Sequence, residues 1–388
     1  MKRIYLDYAS LTPIDPRVLR EVKRFSAREF ANPSSLYKEG VAAKKSLERS
    51  RNTVAGFIHA HADEIVFTSG GTEANGLALE GSARAAYRAF QSAGVSASKL
   101  HMVVSAIEHS SIIETASMME KQGVEVTRIG VDRSGVISID ELKKAIKPNT
   151  FLVSIMTVNN EIGAVQPIRE IAKAIRQTKE RTRQYPLFHT DAAQASLYFG
   201  LNVEKLGVDM LTLDGSKVYG PRGIGALYVR RGTPIEPIIY GGGQERGMRS
   251  GTENIPMVGG FAKALEIAGK ERDKEVTRIQ ELKEKFLAGL LMIRPDITVN
   301  GEIAASPHIS NLSIPGIDNE FFVIELDAKG IAVSTKSSCL RDEDESYVLK
   351  AIGAHSKTAV RFSFGRWTRK SDIDKVLKTV SRILTNNR

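Results

Sequence analysis

At 388 residues the chain exceeds a single minimal core, and its composition (42% hydrophobic, 26% charged, 32 glycines) excludes disordered, fibrous and low-complexity classes. The formal net charge of +10 comes from scattered lysines and arginines rather than an arginine-rich arm, so no direct nucleic-acid contact is expected. One cysteine, Cys339, excludes a disulfide framework and a multi-cysteine metal site within one chain, and no metal is expected. The opening residues MKRIYLDYAS reach Asp7 before any apolar stretch of signal-peptide length, and no later run approaches a membrane span. A cytoplasmic protein without membrane contact is expected.

In chain order, short apolar runs alternate with longer helical patterns: 64–68 and then a helix from Thr72, 102–105 and then one from His109, 151–157 and then one from Ile168. That alternation predicts βαβ units and a mostly parallel sheet. Further strands are expected at 187–190, 210–213 and 225–229, the last two as neighbours, with active-site loops gathered at the carboxyl ends of the strands. After the glycine-rich run 241–254 the character changes to a charged amphipathic helix around 271–292 and alternating segments such as 308–314. The reading is an α/β protein with a large domain over 15–255 and a smaller α+β domain formed by 1–14 and 256–388. In the last helix Ser371 is a capping residue, and Asp372 and Asp374 suit the helix dipole.

Three places carry candidate chemistry. In IVFTSGGTEANGLALEG (residues 65–81), strand, glycine turn and helix follow one another, so the N–H groups of Gly70, Gly71 and Thr72 can face an anion such as phosphate. In YPLFHTDAAQA, Asp191 stands at the end of an apolar strand, where a buried carboxylate needs a cationic partner. Twenty-six residues later, Lys217 occupies a tight turn in LTLDGSKVYGPRGIGALYVR. Taken singly, these read as a packing turn, a capping aspartate and a surface lysine. Together they suit pyridoxal phosphate, with an aldehyde condensed on Lys217 and a pyridine nitrogen held protonated by Asp191. His59 and His61 read as loop residues, and His101, His308 and His355 belong to no evident constellation.

The ordered motifs LDYASLTP, ANPSS, FTSGGTEAN, IEHSS, SIMTVNNEIGAVQP, HTDAAQ, KVYGPRGIGALYVRR, GGGQERGMRSGT, SYVLKAIG and VRFSFGR run from Tyr5 to the last helix. In them the chain resembles cysteine desulfurases of the class V aminotransferase group, which have the fold of type I pyridoxal-phosphate enzymes. The resemblance implies release of sulfur from L-cysteine, giving alanine and a persulfide on Cys339. It also implies pyridoxal 5'-phosphate as cofactor, a homodimer, and a sulfur acceptor such as an iron–sulfur scaffold protein or a tRNA-thiolation enzyme. Residue by residue, it implies Gly71, Thr72 and Ser216 among the cofactor contacts, with Thr72 on the phosphate and Thr252 reaching the same phosphate from the other subunit. His109 would stack on the ring, Asn160 lie near substrate and ring hydroxyl, Asp191 face the ring nitrogen and Gln194 donate to the ring hydroxyl. Lys217 would be the Schiff-base lysine and general base, and Arg361 the clamp for the substrate carboxylate. Cys339, in the polar run SSCLRDEDE within a loop over about 334–346, would be the sulfur acceptor on an exposed, mobile segment.

Departures from the family pattern leave alternatives open. Asp214 stands where a phosphate-binding serine is usual, Ser216 where a histidine is usual, and Tyr37 where a histidine is common; Thr335, Lys336, Ser337 and Ser338 replace a small glycine-containing run. Asp214 is expected to accept N–H bonds within its own turn, to pair with a cation such as Arg222, and to turn away from the phosphate. The alternatives are a selenocysteine lyase, another class V aminotransferase, or a degenerate homologue that serves as a scaffold partner in sulfur transfer.

Overall fold

The computed structural model describes residues 3–92, 100–179, 185–302, 305–335 and 345–386. Its strands in chain order are β1 (Ile4–Tyr5), β2 (Ile65–Thr68), β3 (His101–Ser105), β4 (Glu125–Ile129), β5 (Thr150–Ser154) and β6 (Leu187–Asp191), then β7 (Met210–Asp214), β8 (Gly225–Val229), β9 (Thr298–Asn300), β10 (Ile309–Ser313), β11 (Ile331–Ala332) and β12 (Ala359–Ser363). Seven of them form the central sheet in the order β2-β8-β7-β6-β5-β3-β4. The expected α/β architecture with a mostly parallel sheet is present: the pairs β3/β4, β3/β5, β5/β6 and β6/β7 are parallel, and β8 alone runs antiparallel to both neighbours. β3, β5 and β6 are buried along their whole length, as strands covered by helices on both faces must be, which is why each carries consecutive apolar residues (102–104, 151–153, 187–188) rather than an alternation.

Because β8 reverses against both β7 and β2, those two run in the same sense. The carboxyl ends of β2, β3, β5, β6 and β7 therefore open on one edge of the sheet. The reversal is made by the tight 215–224 connection. A Cβ on Gly215 would come within 2.7 Å of the Pro221 carbonyl oxygen, and one on Gly225 within 2.7 Å of the Gly70 backbone, so both close approaches require glycine.

Some elements differ from the sequence reading. β4 was not expected: it is an edge strand in which only Ile129 is buried, so EVTRI carries no apolar signal. The helix expected over 271–292 begins at Ile255, where the Asn254 side chain caps the Met257 N–H and Pro256 occupies the first turn. It runs to Ile293 and belongs to two cores. Val258, Phe261 and Leu265 pack in the cluster beneath the central sheet. Ile279, Leu282 and Phe286 pack with Ile4, Leu6, Phe362 and Phe364 beside the antiparallel sheet β12-β10-β9. Among the described residues no helix is long and apolar enough to cross a membrane.

Candidate active site

A cavity of about 180 Å³ opens at the carboxyl edge of the central sheet. It is lined from five strand ends by Gly71, Thr72, His109, Asn160, Asp191, Gln194 and Lys217, and from β12 by Arg361. Ser216 and Thr252 do not line it. Thr252 is exposed, at the end of the glycine-rich loop. Cys339 lies outside the described residues, as do Lys336, Ser337 and Ser338.

The strand-to-helix turn after β2 is held from both sides. Glu73, in the first turn of the Gly71–Ser92 helix, accepts the Ser69 N–H at 2.8 Å and pairs with Arg249 at 2.8 Å. One turn on from Thr72, and so on the same helix face, Asn75 donates to Asp191 Oδ2 at 2.7 Å and to Ser111 Oγ at 2.9 Å. The Asn75 Oδ1 atom is buried, and among the described residues it has no hydrogen-bond partner. Asp191 is buried; its other oxygen accepts the Ala193 N–H at 2.9 Å, and among the described residues it makes no ion pair. The Ser111 N–H donates to His109 Nδ1, which places the ring proton on Nε2. His109 thereby caps the Ser110–Lys121 helix as well as facing the cavity.

Lys217 ends a short 3-10 turn, Gly215–Lys217. Two residues later Tyr219 takes φ 59°, a left-handed conformation unusual for a bulky side chain. Tyr219 is held there by its N–H bond to Thr12 Oγ1 at 2.7 Å and by its hydroxyl, which accepts the Arg366 N–H at 2.6 Å. The turn therefore presents Lys217 to the cavity, where its amine donates to the Ser10 carbonyl. Gln194 donates to the Ala9 carbonyl at 2.8 Å and accepts from His308 Nε2 at 3.2 Å.

Arg361 is fully buried and already well bound. It pairs with Asp7 at 2.7 Å, donates to Ser10 Oγ at 2.9 Å and to the Asn160 carbonyl at 2.8 Å, and its buried Nε has no partner among the described residues. Its backbone exchanges two hydrogen bonds with Ser334, on one side of the Cys339 segment. On the other side Ser346 donates to Glu161 Oε2 at 2.6 Å. Both ends of that segment are thus fastened within two residues of groups that line the cavity.

Asp214 departs from expectation. The bond within its own turn is present, with Oδ1 accepting the Ser216 N–H at 2.7 Å. The carboxylate is not turned away, however: Oδ2 accepts the Gly71 N–H at 3.3 Å, and the residue lines the cavity. Among the described residues it makes no ion pair with Arg222 or any other cation.

Sequence reasoning did not single out Asn75, Ser111, Asp7 or Ser10. Asn75 and Ser111 had local signals, the spacing from Thr72 and the place two residues after His109; Asp7 and Ser10 meet the site only because the chain returns to it. His308, read as belonging to no constellation, is buried between Ser306 and Gln194 and stacks on Tyr198 at 4.4 Å. Its burial pulls its pKa down to about 3, so it is the neutral imidazole.

Two neighbouring groups yield predictions. Burial pushes the pKa of Glu108, next to His109, up to about 8, although it accepts from Ser105 Oγ and the Met156 N–H. The folded protein then holds a proton that the unfolded chain has lost above its ordinary value of 4.5, so this group withdraws stability as pH rises from about 4.5 to about 8. Glu108→Gln is expected to flatten that decline. Chemical unfolding midpoints of both proteins at pH 5, 6.5 and 8 test it, and parallel curves would refute it. Farther out, Arg51 and Glu245 form a buried bidentate pair at 2.7 Å, and Glu245 also accepts the Phe67 N–H. The pair ties the 241–254 loop to β2 and holds Glu245 and Arg246 at φ 48° and 58°. Glu245→Gln leaves the buried Arg51 with only the half-exposed Glu48, at 3.2 Å, as counter-charge and is expected to cost about 3 kcal/mol of stability, the low end for a broken buried pair, measured by urea unfolding. A loss within experimental error of zero would show the pair to be dispensable.

With this geometry in hand, the chain matches the family profile described as Aminotransferase class-V over residues 4–376, and it belongs to that family. Among its relatives it is 40% identical to the cysteine desulfurase IscS of Dictyoglomus turgidum, over 99% of this chain and 95% of that protein. It is 42% identical to the mitosomal cysteine desulfurase of Encephalitozoon cuniculi, over 98% and 87%. Of solved structures, a NifS-like protein superposes with a TM-score of 0.90 at 32% identity, covering 99% of each chain. SspA in complex with cysteine superposes with a TM-score of 0.78 at 32% identity, covering 93% of this chain and 98% of that one. These similarities put the chain among the cysteine desulfurases of the class V family.

Proposed function

We propose that the cavity binds pyridoxal 5'-phosphate and L-cysteine, and that the sulfur released there passes to Cys339. The observation that carries this reading is the convergence of an amine, Lys217, and a buried carboxylate without an ion-pair partner among the described residues, Asp191, on one cavity with a helix N-terminus at Gly71. The polar atoms fit the cofactor's ring end. Asp191 lacks the cation that a protonated pyridine nitrogen would be, and the orphaned Asn75 Oδ1 can accept a further hydrogen bond. When bound, pyridoxal phosphate supplies an electron sink for the electrons released at the substrate's Cα.

The remaining work falls to the chain's own residues. Asp191 holds the proton on the ring nitrogen, and Asn75 and Ala193 fix both of its oxygens. His109, its proton on Nε2, would stack on the ring and Gln194 would donate to the ring hydroxyl, the roles implied for them by the family resemblance. Gly71 and Thr72, with Thr252 of a second copy, would form the phosphate end, while Ser216, outside the cavity lining, would act there only through the Asp214 turn that its N–H closes; the exposure of Thr252 and the clamping of its loop by Arg51–Glu245 and Arg249–Glu73 support that dimeric arrangement. Arg361, beside Asn160, takes the substrate carboxylate on its unpartnered Nε and orients the Cα–H bond. The Lys217 amine removes that proton and returns one to the product carbon. The Cys339 thiolate attacks the substrate sulfur: an S–S bond forms, the C–S bond breaks, and alanine leaves. The division into a larger part over 15–255 and a smaller one over 1–14 and 256–388, a cytoplasmic location, and an acceptor such as an iron–sulfur scaffold protein belong to the same reading. Incubation of the purified chain with pyridoxal phosphate and L-cysteine is expected to yield alanine with matching sulfide when a reductant is present; no alanine would sink it.

A further inference from the structure

The turn that receives the cofactor's phosphate on this reading already holds an anion of the chain's own. Asp214 is the last residue of β7 and lines the same cavity as Thr72 and Lys217. Its Oδ2 accepts the N–H of Gly71, the first residue of the Gly71–Ser92 helix. That N–H has no intrahelical acceptor, and it lies at the positive end of the helix dipole, where a phosphate oxygen would also be drawn. The carboxylate lies close against the turn: a Cβ on Gly71 would come within 3.1 Å of Oδ2. Its second oxygen is fixed by the Ser216 N–H, so the side chain is held from two sides. The nearest charged pair on the same helical turn, Glu73 with Arg249, is engaged with itself and with the Ser69 N–H.

We propose that Asp214 is an internal occupant of the phosphate subsite and sets the cofactor specificity of this chain. A phosphate can reach the Gly71 N–H only by taking it from a like charge. At a separation of about 4 Å and an effective dielectric near 20, that repulsion offsets about a thousandfold in affinity for each phosphate charge. The phosphate therefore adds little to cofactor binding, which rests on Lys217 and the ring contacts, and pyridoxal without phosphate binds almost as well.

The inference depends on the pyridoxal-phosphate reading, and one experiment separates the two. The full chain, stripped of bound cofactor, is titrated by absorbance with pyridoxal phosphate and with pyridoxal, in the wild type, Asp214→Ser and Asp214→Asn. In the wild type the two dissociation constants are expected to lie within about tenfold of each other. In both variants that for pyridoxal phosphate is expected to fall by about a hundredfold or more while that for pyridoxal stays unchanged, which also shows the variants to be folded. Asparagine keeps the size and an acceptor for the N–H groups, so a shift in both variants assigns the effect to charge. A wild type that prefers pyridoxal phosphate by about a thousandfold, or constants that the substitutions leave in place, overturns the inference alone. If a variant loses pyridoxal binding as well, the wild-type ratio decides. Binding of neither compound to the wild type overturns the cofactor reading and the inference with it.

Discussion

Replacing Lys217 by alanine is expected to lower alanine formation from L-cysteine by about two to four orders of magnitude, the usual contribution of a positioned general base, and by more where the same amine also carries the cofactor. The expectation rests on how the turn is built. Gly215 permits the close return of the chain beneath Pro221 and Ile224, Tyr219 is locked at φ 59°, and the lysine is left on the cavity that Asp191 also lines. The lysine's bond to the Ser10 carbonyl is a single part-buried hydrogen bond, so the variant should fold with an unfolding midpoint only slightly lowered. Lys217→Arg should not rescue, because a guanidinium stays protonated and cannot act as a base. Borohydride reduction of the wild type in the presence of pyridoxal phosphate, followed by peptide mapping, should place the pyridoxyl group on Lys217; a label on any other lysine refutes the assignment.

Cys339→Ser is expected to bind pyridoxal phosphate and L-cysteine as the wild type does, yet to retain less than about a hundredth of the protein-bound sulfur, since a hydroxyl is neither acidic nor nucleophilic enough to take a sulfur atom at neutral pH. Binding should survive because every described residue on the cavity lies outside the cysteine segment. The segment's fastenings, Ser334 to the Arg361 backbone and Ser346 to Glu161, are likewise independent of the thiol. Incubation with sulfur-labelled cysteine and measurement of label on the protein before and after reductant tests this. Undiminished, reductant-releasable label on the serine variant would mean that Cys339 is not the acceptor.

What was legible in the sequence follows from which interactions are local. β3, β5 and β6 are buried on both faces and so announce themselves as apolar runs, and glycine turns with a carboxylate or an amine at the strand end are short-range patterns. The order of strands and helices, the parallel sheet, and the candidates Thr72, His109, Asp191 and Lys217 could all be named from such signals together with the family resemblance. An edge strand such as β4, half exposed and polar, leaves no comparable trace, and the two-residue strands β1 and β11 exist only because they pair across more than 300 positions. Charge partners were beyond reach for the same reason. Arg361 meets Asp7 and Ser10 from the far end of the chain, His308 meets Gln194, and Asp214 meets Gly71, each at a separation that strand order alone sets. The Asp214 turn shows the boundary most plainly. Its bond to Ser216 is a local property of aspartate in a tight turn and could be foreseen, whereas its bond to Gly71 required β8 to pair between β2 and β7 and so set their carboxyl ends on one edge, and only the tertiary structure decides that.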